Sequence, residues 1–328
     1  ENPYLVFIKS KDRDITSCII HENTRFIHSN AFVRCTSLTS VTIPDGVTRI
    51  GEQAFNCCTS LTSVTIPNSV TSIGGSAFSG CSSLTSVIIP DSVTSIGGYA
   101  FYYCKSLTSV EIPESVTKIG QMAFIGCNKL RSIQSNFSSK DLRCLVIDGE
   151  LKAFAPANIT QYTLPEGITK IGNFVFCLCN ELESITLSNS VTTIGDQAFF
   201  ASENLKSVTL SESVTHIGFS AFYNCVSLSD IELKKVTNID DNAFCGCSSL
   251  TEITIPVSVH SIGADAFSTC NKLAAVYCKP TVPPIAETSS FSDNATGRKI
   301  YVPRNTEQIY KQSKGWSAYT SAIEPYDF

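Results

Sequence analysis

The chain has 328 residues and a formal net charge of −5, with 16% of its residues charged. That balance argues against nucleic acid as a main partner, and a hydrophobic content of 43% excludes a disordered tail. No run approaches about 18 apolar residues, so no transmembrane segment is expected in this chain.

In chain order, residues 1–16 carry Leu5, Val6, Phe7 and Ile8, which read as an N-terminal capping strand. A solenoid end needs such a cover, because its core is otherwise open. Cys18 and Ile20 then begin a recurring pattern. Cys35, Cys58, Cys81, Cys104 and Cys127 lie 23 residues apart. The series resumes at Cys179, takes Ser202 in its next place, and continues at Cys225, Cys247 and Cys270. Phe recurs in step, from Phe32 to Phe124 and from Phe176 to Phe291, as does Leu from Leu38 to Leu273. A period this regular predicts a solenoid, one turn per repeat, with each apolar column stacked in a continuous core.

Residues 61–83 show one turn. Val64 and Ile66 alternate with Ser63 and Thr65, the pattern of a short half-buried strand. Pro67 ends it, because proline cannot donate to a ladder. Val70 and Ile73 point a second extended segment inward. Gly74 turns the chain, and Ala77 and Phe78 enter the core from a compact turn. The expected architecture is one long parallel sheet, with short strands and turns on the other faces and capped ends.

Two places break the period. Between Ile133 and Tyr162 the Ala-Phe step is missing. There Asp148–Gly149, between apolar runs, predicts a β-hairpin insertion at about 134–161. Near Lys234–Lys235 one residue is missing. The solenoid is expected over 17–303, with its last strand at Ile300–Pro303. Residues 304–328 are expected to form the C-terminal cap. It holds a short helix over 305–314, N-capped by Asn305 or Thr306, and Trp316 covers the last turn.

The fifteen cysteines pose a choice. Their number points to disulfides or metal. Their column points to small, buried apolar residues. Ser202 stands in the column without a compensating change, which suits a size constraint. A disulfide between column neighbours stays as the alternative, although a parallel stack aims their Cβ atoms the same way. Cys177-x-Cys179 and Cys245-x-Cys247 look like metal pairs, but no His lies at zinc-ligand spacing. Neither a metal nor a cofactor is expected. Cys18 and Cys278 take strand positions and are expected to be buried. His216 and His260 read as equivalent places two turns apart, about 10 Å, too far to share an ion. No Gly-x-Ser-x-Gly element, phosphate loop or His-Glu-x-x-His occurs. No catalytic residue is therefore assigned, and no enzyme is expected.

The outward strand positions form the candidate binding face. They are Ser63, Thr65, Ser86, Ser109 and Glu111, then Thr186, Ser207, Thr209, Asp230, Glu232, Glu252, Thr254 and Tyr277. They present small hydroxyls, with an acidic patch towards the C-terminal half. They read either as a solvated face where Thr serves β-propensity or as a binding strip of the kind solenoids use. Asp230, Glu232 and Glu252 can lie near one another, but on an open face with no cleft for hydrolysis. Tyr99, Tyr102 and Tyr103 cluster on the opposite turn.

The motif Leu61-x-x-Val64-x-Ile66-Pro67-x-x-Val70-x-x-Ile73-Gly74-x-x-Ala77-Phe78-x-x-Cys81 resembles the BspA-type leucine-rich repeat family, over roughly residues 18–303. The tail, with Pro283–Pro284, Ile300–Pro303, Tyr310–Lys311 and Trp316, is similar to the end of secreted members from host-associated anaerobic bacteria. The resemblance implies a leucine-rich-repeat solenoid that is extracellular or attached to the cell surface. It implies an adhesin-like role towards protein or glycan macromolecules of the host matrix or of microbial surfaces. It carries over no catalytic motif. A scaffold of the cell envelope without a specific host ligand is the alternative. The chain starts at Glu1 without Met, so a signal peptide or lipid anchor is expected to have been removed.

Overall fold

The structure is a computed structural model that describes residues 5–328. Each turn of the repeat contributes a strand to two parallel ladders. Ser63–Thr65 buries Val64 and turns Ser63 and Thr65 outward, and it pairs with Ser86–Ile88. Later in the same turn Ser72–Ile73 pairs with Arg49–Ile50 and Ser95–Ile96, burying the isoleucines.

The third side of the turn is built around Phe. In the Phe55 turn, Gln53 and Cys57 stand at φ +55° and +59°. Positive φ is costly for residues other than glycine. Here it aims alternate N–H groups the same way. Gln53, Phe55 and Cys57 donate to the carbonyls of Gly75, Ala77 and Ser79 on the next turn at 2.7–2.8 Å. The pattern repeats through both halves of the chain, so these turns are bonded to each other by a one-way ladder. The rings follow it. Phe7, Phe32, Phe55, Phe78, Phe101 and Phe124 stack with centroids 4.7–5.5 Å apart. Phe176, Phe199, Phe222, Phe244, Phe267 and Phe291 do the same at 4.8–5.3 Å. The spacing is close to that of paired strands, which lets one column fill the core without voids.

The cysteine column is more than small and apolar. Cys58, Cys81, Cys104 and Cys127 donate their thiols to the carbonyls of Phe32, Phe55, Phe78 and Phe101, at 3.1–3.2 Å. Cys225, Cys247 and Cys270 repeat this with Phe199, Phe222 and Phe244. Ser202 donates to Phe176 in the same way. The position takes a small donor, a requirement that spacing alone does not reveal. All fifteen cysteines are free thiols. Cys278 is buried as expected. Cys18 is only half-buried, because its strand Ser17–Ile19 has a ladder partner on one side alone.

Serine and threonine also bind turns together. Thr85 and Thr108 donate their hydroxyls to the carbonyls of Thr62 and Thr85, each at 3.2 Å. Ser69, Ser92 and Ser115 donate to Val47, Val70 and Val93, at 2.6–2.8 Å. Part of the high hydroxyl content is therefore inter-turn bonding rather than surface decoration.

The chain divides into two compact units at the hairpin. One runs to Ile147 and includes Leu151–Asn158; the other holds Asp148–Glu150 and Ile159–Phe328. The hairpin joins Cys144–Ile147 to Glu150–Phe154. Its turn residues Asp148 and Gly149 have φ of +52° and +76°, as a type I′ turn requires.

The outer-face strands run in the expected parallel order, but their ladder is interrupted within each unit. In the first, Ser17–Ile19 pairs with Ser40–Thr42, and a new ladder starts at Ser63–Thr65. There the bond from Thr62 N to Thr39 O has lengthened to 3.5 Å, against 3.1 Å from Thr85 N to Thr62 O. In the second, one ladder runs from Gln161–Thr163 to Asp230–Ile231, and the next starts at Glu252–Ile255. Between them lies the shortened turn, where Lys234 adopts φ +43°.

The ends depart from the template. Val6–Phe7 pairs with Phe26–Ile27. At the other end the helix is Glu307–Gln312, shorter than expected, with Thr306 at its N-cap; the Thr306 hydroxyl donates to Pro303 O and accepts no N–H of the helix. Trp316 is fully buried beside Phe291 and donates its indole N–H to Pro284 O at 2.7 Å. Ile300–Pro303 is not the last strand. Ile323–Tyr326 adds one more rung, pairing with it in parallel.

Candidate functional site

Strand alternation places the candidate residues outward, and the register decides which of them meet. In the first unit Ser63, Ser86 and Ser109 lie on consecutive rungs, and Thr65 shares its row with Ile88 and Glu111. Ser109 is half-buried; the other four candidates are exposed. Ile88, 70% exposed, interrupts the polar row. Glu111 borders a groove of about 850 Å³ that also takes in Asp91, Glu114 and Gln134.

In the second unit Ser207 pairs with Asp230, and Thr186 pairs with Thr209. Glu232 is exposed just beyond the end of the Asp230–Ile231 strand. A separate ladder brings Glu252, Ala275 and Lys299 into one row, and Thr254, Tyr277 and Tyr301 into the next. The thirteen candidates thus form separate groups rather than one uninterrupted strip.

A group that the repeat pattern did not point to lies beside Tyr277. Its ring stacks on Tyr301 at 5.1 Å and 18°. Tyr326 crosses both, at 5.4 Å and 66° from Tyr277 and at 5.3 Å from Tyr301. Phe328 lies 5.1 Å beyond Tyr326. Burial, then the neighbouring Glu252 carboxylate, pushes the Tyr277 phenol upward. Alternation of Ala275-Val276-Tyr277-Cys278 and Lys299-Ile300-Tyr301-Val302 signals two outward tyrosines. Tyr326 and Phe328 lie past the repeat, where no periodic signal reaches.

The second ladder carries its own polar row. His216 faces Asn238 and then Ser261. His260 is therefore not its counterpart; it sits one position earlier, where its amide donates to Thr237 O. The step to a 22-residue repeat near Lys234 is what shifted the alignment. The His216 imidazole instead meets Asp240, Nε2 to Oδ2 at 3.2 Å. Burial raises the Asp240 carboxyl, an effect that His216 opposes and that Asp196 and Asp241 reinforce. On the Phe-turn side, Tyr102 lies 5.5 Å from Tyr99 and 4.5 Å from Tyr103, and the Lys105 ammonium stands over the Tyr103 ring. Among the described residues, no three His, Cys, Asp or Glu side chains are grouped to hold a metal ion, and no helix is long and apolar enough to cross a membrane.

Short parallel strands repeated every 23 residues, with stacked Phe and Leu columns, define a leucine-rich-repeat solenoid. The pattern of the BspA type leucine rich repeat region matches residues 9–142, 150–274 and 215–314, in six copies. The chain belongs to this BspA-type leucine-rich repeat family. It is similar to a solved leucine-rich cell surface protein of Faecalibacterium prausnitzii, at 30% identity and a TM-score of 0.66, covering 92% of this chain and 82% of that one. A leucine-rich repeat protein of Bacteroides ovatus is also 30% identical, with a TM-score of 0.53 and 89% and 85% coverage. The pneumococcal vaccine antigen PcpA shares the fold at 18% identity, with a TM-score of 0.75 and 98% and 81% coverage. No curated protein matches the chain by sequence.

Proposed function

We propose that the protein is a non-catalytic, extracellular or cell-surface binder of protein or glycan macromolecules. It engages them through the outward face of its first strand ladders. The observation that carries this reading is the register. Rungs such as Ser63, Ser86 and Ser109, and Thr186 with Thr209, hold flat polar rows at fixed spacing on a backbone already bonded turn to turn. A rigid, pre-formed surface binds at low entropic cost. The similarity to a cell surface protein supports the location. In the same reading residues 1–16, of which 1–4 lie outside the described residues, and 304–328 serve as caps to a solenoid spanning 17–303, the second cap adding the rung Ile323–Tyr326.

Binding of the purified chain to immobilised matrix proteins and mucin glycans tests the proposal. Saturable binding to at least one of them is expected, and T65R, S86R and T209R, all on exposed positions, should abolish it without changing the melting transition. Absence of saturable binding across the panel overturns the reading.

A further inference from the structure

The C-terminal end of the outward face differs in chemistry from the rest. Tyr277, Tyr301 and Tyr326 form a contiguous aromatic patch, with Tyr326 41% and Phe328 51% exposed. None of the three tyrosine hydroxyls has a hydrogen-bond partner among the described residues. Glu252 adjoins the patch, two rungs from Lys299 in the neighbouring row. Glu232 lies one turn earlier at the position equivalent to Thr254 and Tyr277.

Two of the local cations are already engaged, while Lys235 and Lys279 are exposed. Lys299 pairs with Glu324, and Arg304 pairs with Asp327 through both Nε and Nη2. Glu232 and Glu252 hold no ion pair among the described residues. The patch therefore offers hydrogen-bond acceptors and unneutralised negative charge, next to aromatic rings.

The ring geometry narrows the partner further. Tyr277 and Tyr301 are stacked along the ladder, so each covers one face of the other. A sugar ring needs an open aromatic face. Tyr326, crossed at 66° to Tyr277, is the ring without a parallel neighbour, and a planar guanidinium can lie on it while hydrogen-bonding a carboxylate.

We propose that this patch docks an extended, arginine-bearing segment of a partner protein, with Glu252 and Glu232 taking guanidinium groups and Tyr326 stacking on one of them. The proposal rests on the outward face being the binding face, and it assigns the partner's chemistry at one end.

The test uses the full 328-residue chain and fluorescein-labelled peptides of alternating Arg and Ser, or Glu and Ser, read by fluorescence anisotropy. The Arg peptide should bind and the Glu peptide should not. E232Q/E252Q should weaken binding about fivefold, and Y326S by a similar factor of about five. E22Q/D45N, the same charge change at exposed carboxylates of the other unit and outside the candidate face, should leave it unchanged. Equal binding of the Arg peptide by wild type, E232Q/E252Q and Y326S overturns the proposal as non-specific attraction. A neutral glucose hexasaccharide that competes at the patch overturns it in favour of glycan. If a matrix protein binds and is lost in S86R while neither peptide binds, the proposal falls and the broader binding reading stands. If nothing in either experiment binds, both fall.

Discussion

The Ser202 hydroxyl donates to the carbonyl oxygen of Phe176 at 2.6 Å, in the place where Cys225 donates its thiol to Phe199 at 3.1 Å. The column therefore selects for a donor as well as for size. Cys104→Ser should keep the fold with little loss, whereas Cys104→Ala should cost about 1 kcal/mol more than Ser. Urea melts compare the two, and an Ala variant as stable as the Ser variant would show that only volume matters.

Alkali should unfold the protein through the same thiols. Burial pushes Cys58 and Cys104 from 9.0 up to about 12. Between those values the folded chain keeps protons that the unfolded chain releases. Stability is thus complete below about pH 9 and falls as pH rises towards about 12, by about 1.4 kcal/mol per pH unit for each such thiol. Urea midpoints at pH 7, 9 and 10.5 measure this; C58S/C104S should flatten the slope, and a midpoint constant to pH 10.5 contradicts it.

Thiol labelling should sort the cysteines by place. Cys18, Cys57, Cys177 and Cys245 are half-buried, and the other eleven are buried. A thiol reagent should modify no more than four sites in the native protein and all fifteen in guanidinium. Native labelling of Cys81 or Cys127, located by mass spectrometry, would contradict the closed column.

Phe101 is fully buried between Phe78 and Phe124. Phe101→Ala should cost about 3–5 kcal/mol as a core truncation. A loss below about 1 kcal/mol in denaturant melts contradicts a continuous stack.

Two glycines should respond unequally. A Cβ on Gly74 would stand 2.6 Å from the Gly51 carbonyl carbon, on backbone that cannot swing aside. Gly167 has φ +92° with nothing within 4 Å of such a Cβ. Gly74→Ala should cost about 3 kcal/mol by overpacking and Gly167→Ala about 1 kcal/mol by conformation alone. Thermal melts that reverse this order would contradict the close packing of turns.

Most of the architecture was legible because periodicity reports burial. Phe55, Leu61, Val64 and Cys58 recur in phase, and each is buried. Periodicity does not report hydrogen bonds. The thiol ladder, the Thr85 to Thr62 bond and the forward donation from Phe55 depend on backbone directions that a column of letters does not contain. It also fails where the count slips. A fixed period pairs His260 with His216 across the 22-residue turn, one position out of register. The strand at Ile323–Tyr326 lacks the repeat's residues, so the Tyr326 half of the aromatic patch carries no periodic signal. The candidate face was legible as alternation along single strands, but its division into groups depends on which rungs stay bonded.

The forward ladder leaves the two ends of a run of Phe turns chemically unlike. Carbonyls face one way, and N–H groups face the other. In the last turn Phe291 N–H donates instead to the Tyr319 hydroxyl at 3.0 Å, and that hydroxyl donates onward to Thr288 O. One side chain thus takes the N–H that a further Phe turn would otherwise accept, and closes the ladder within the chain.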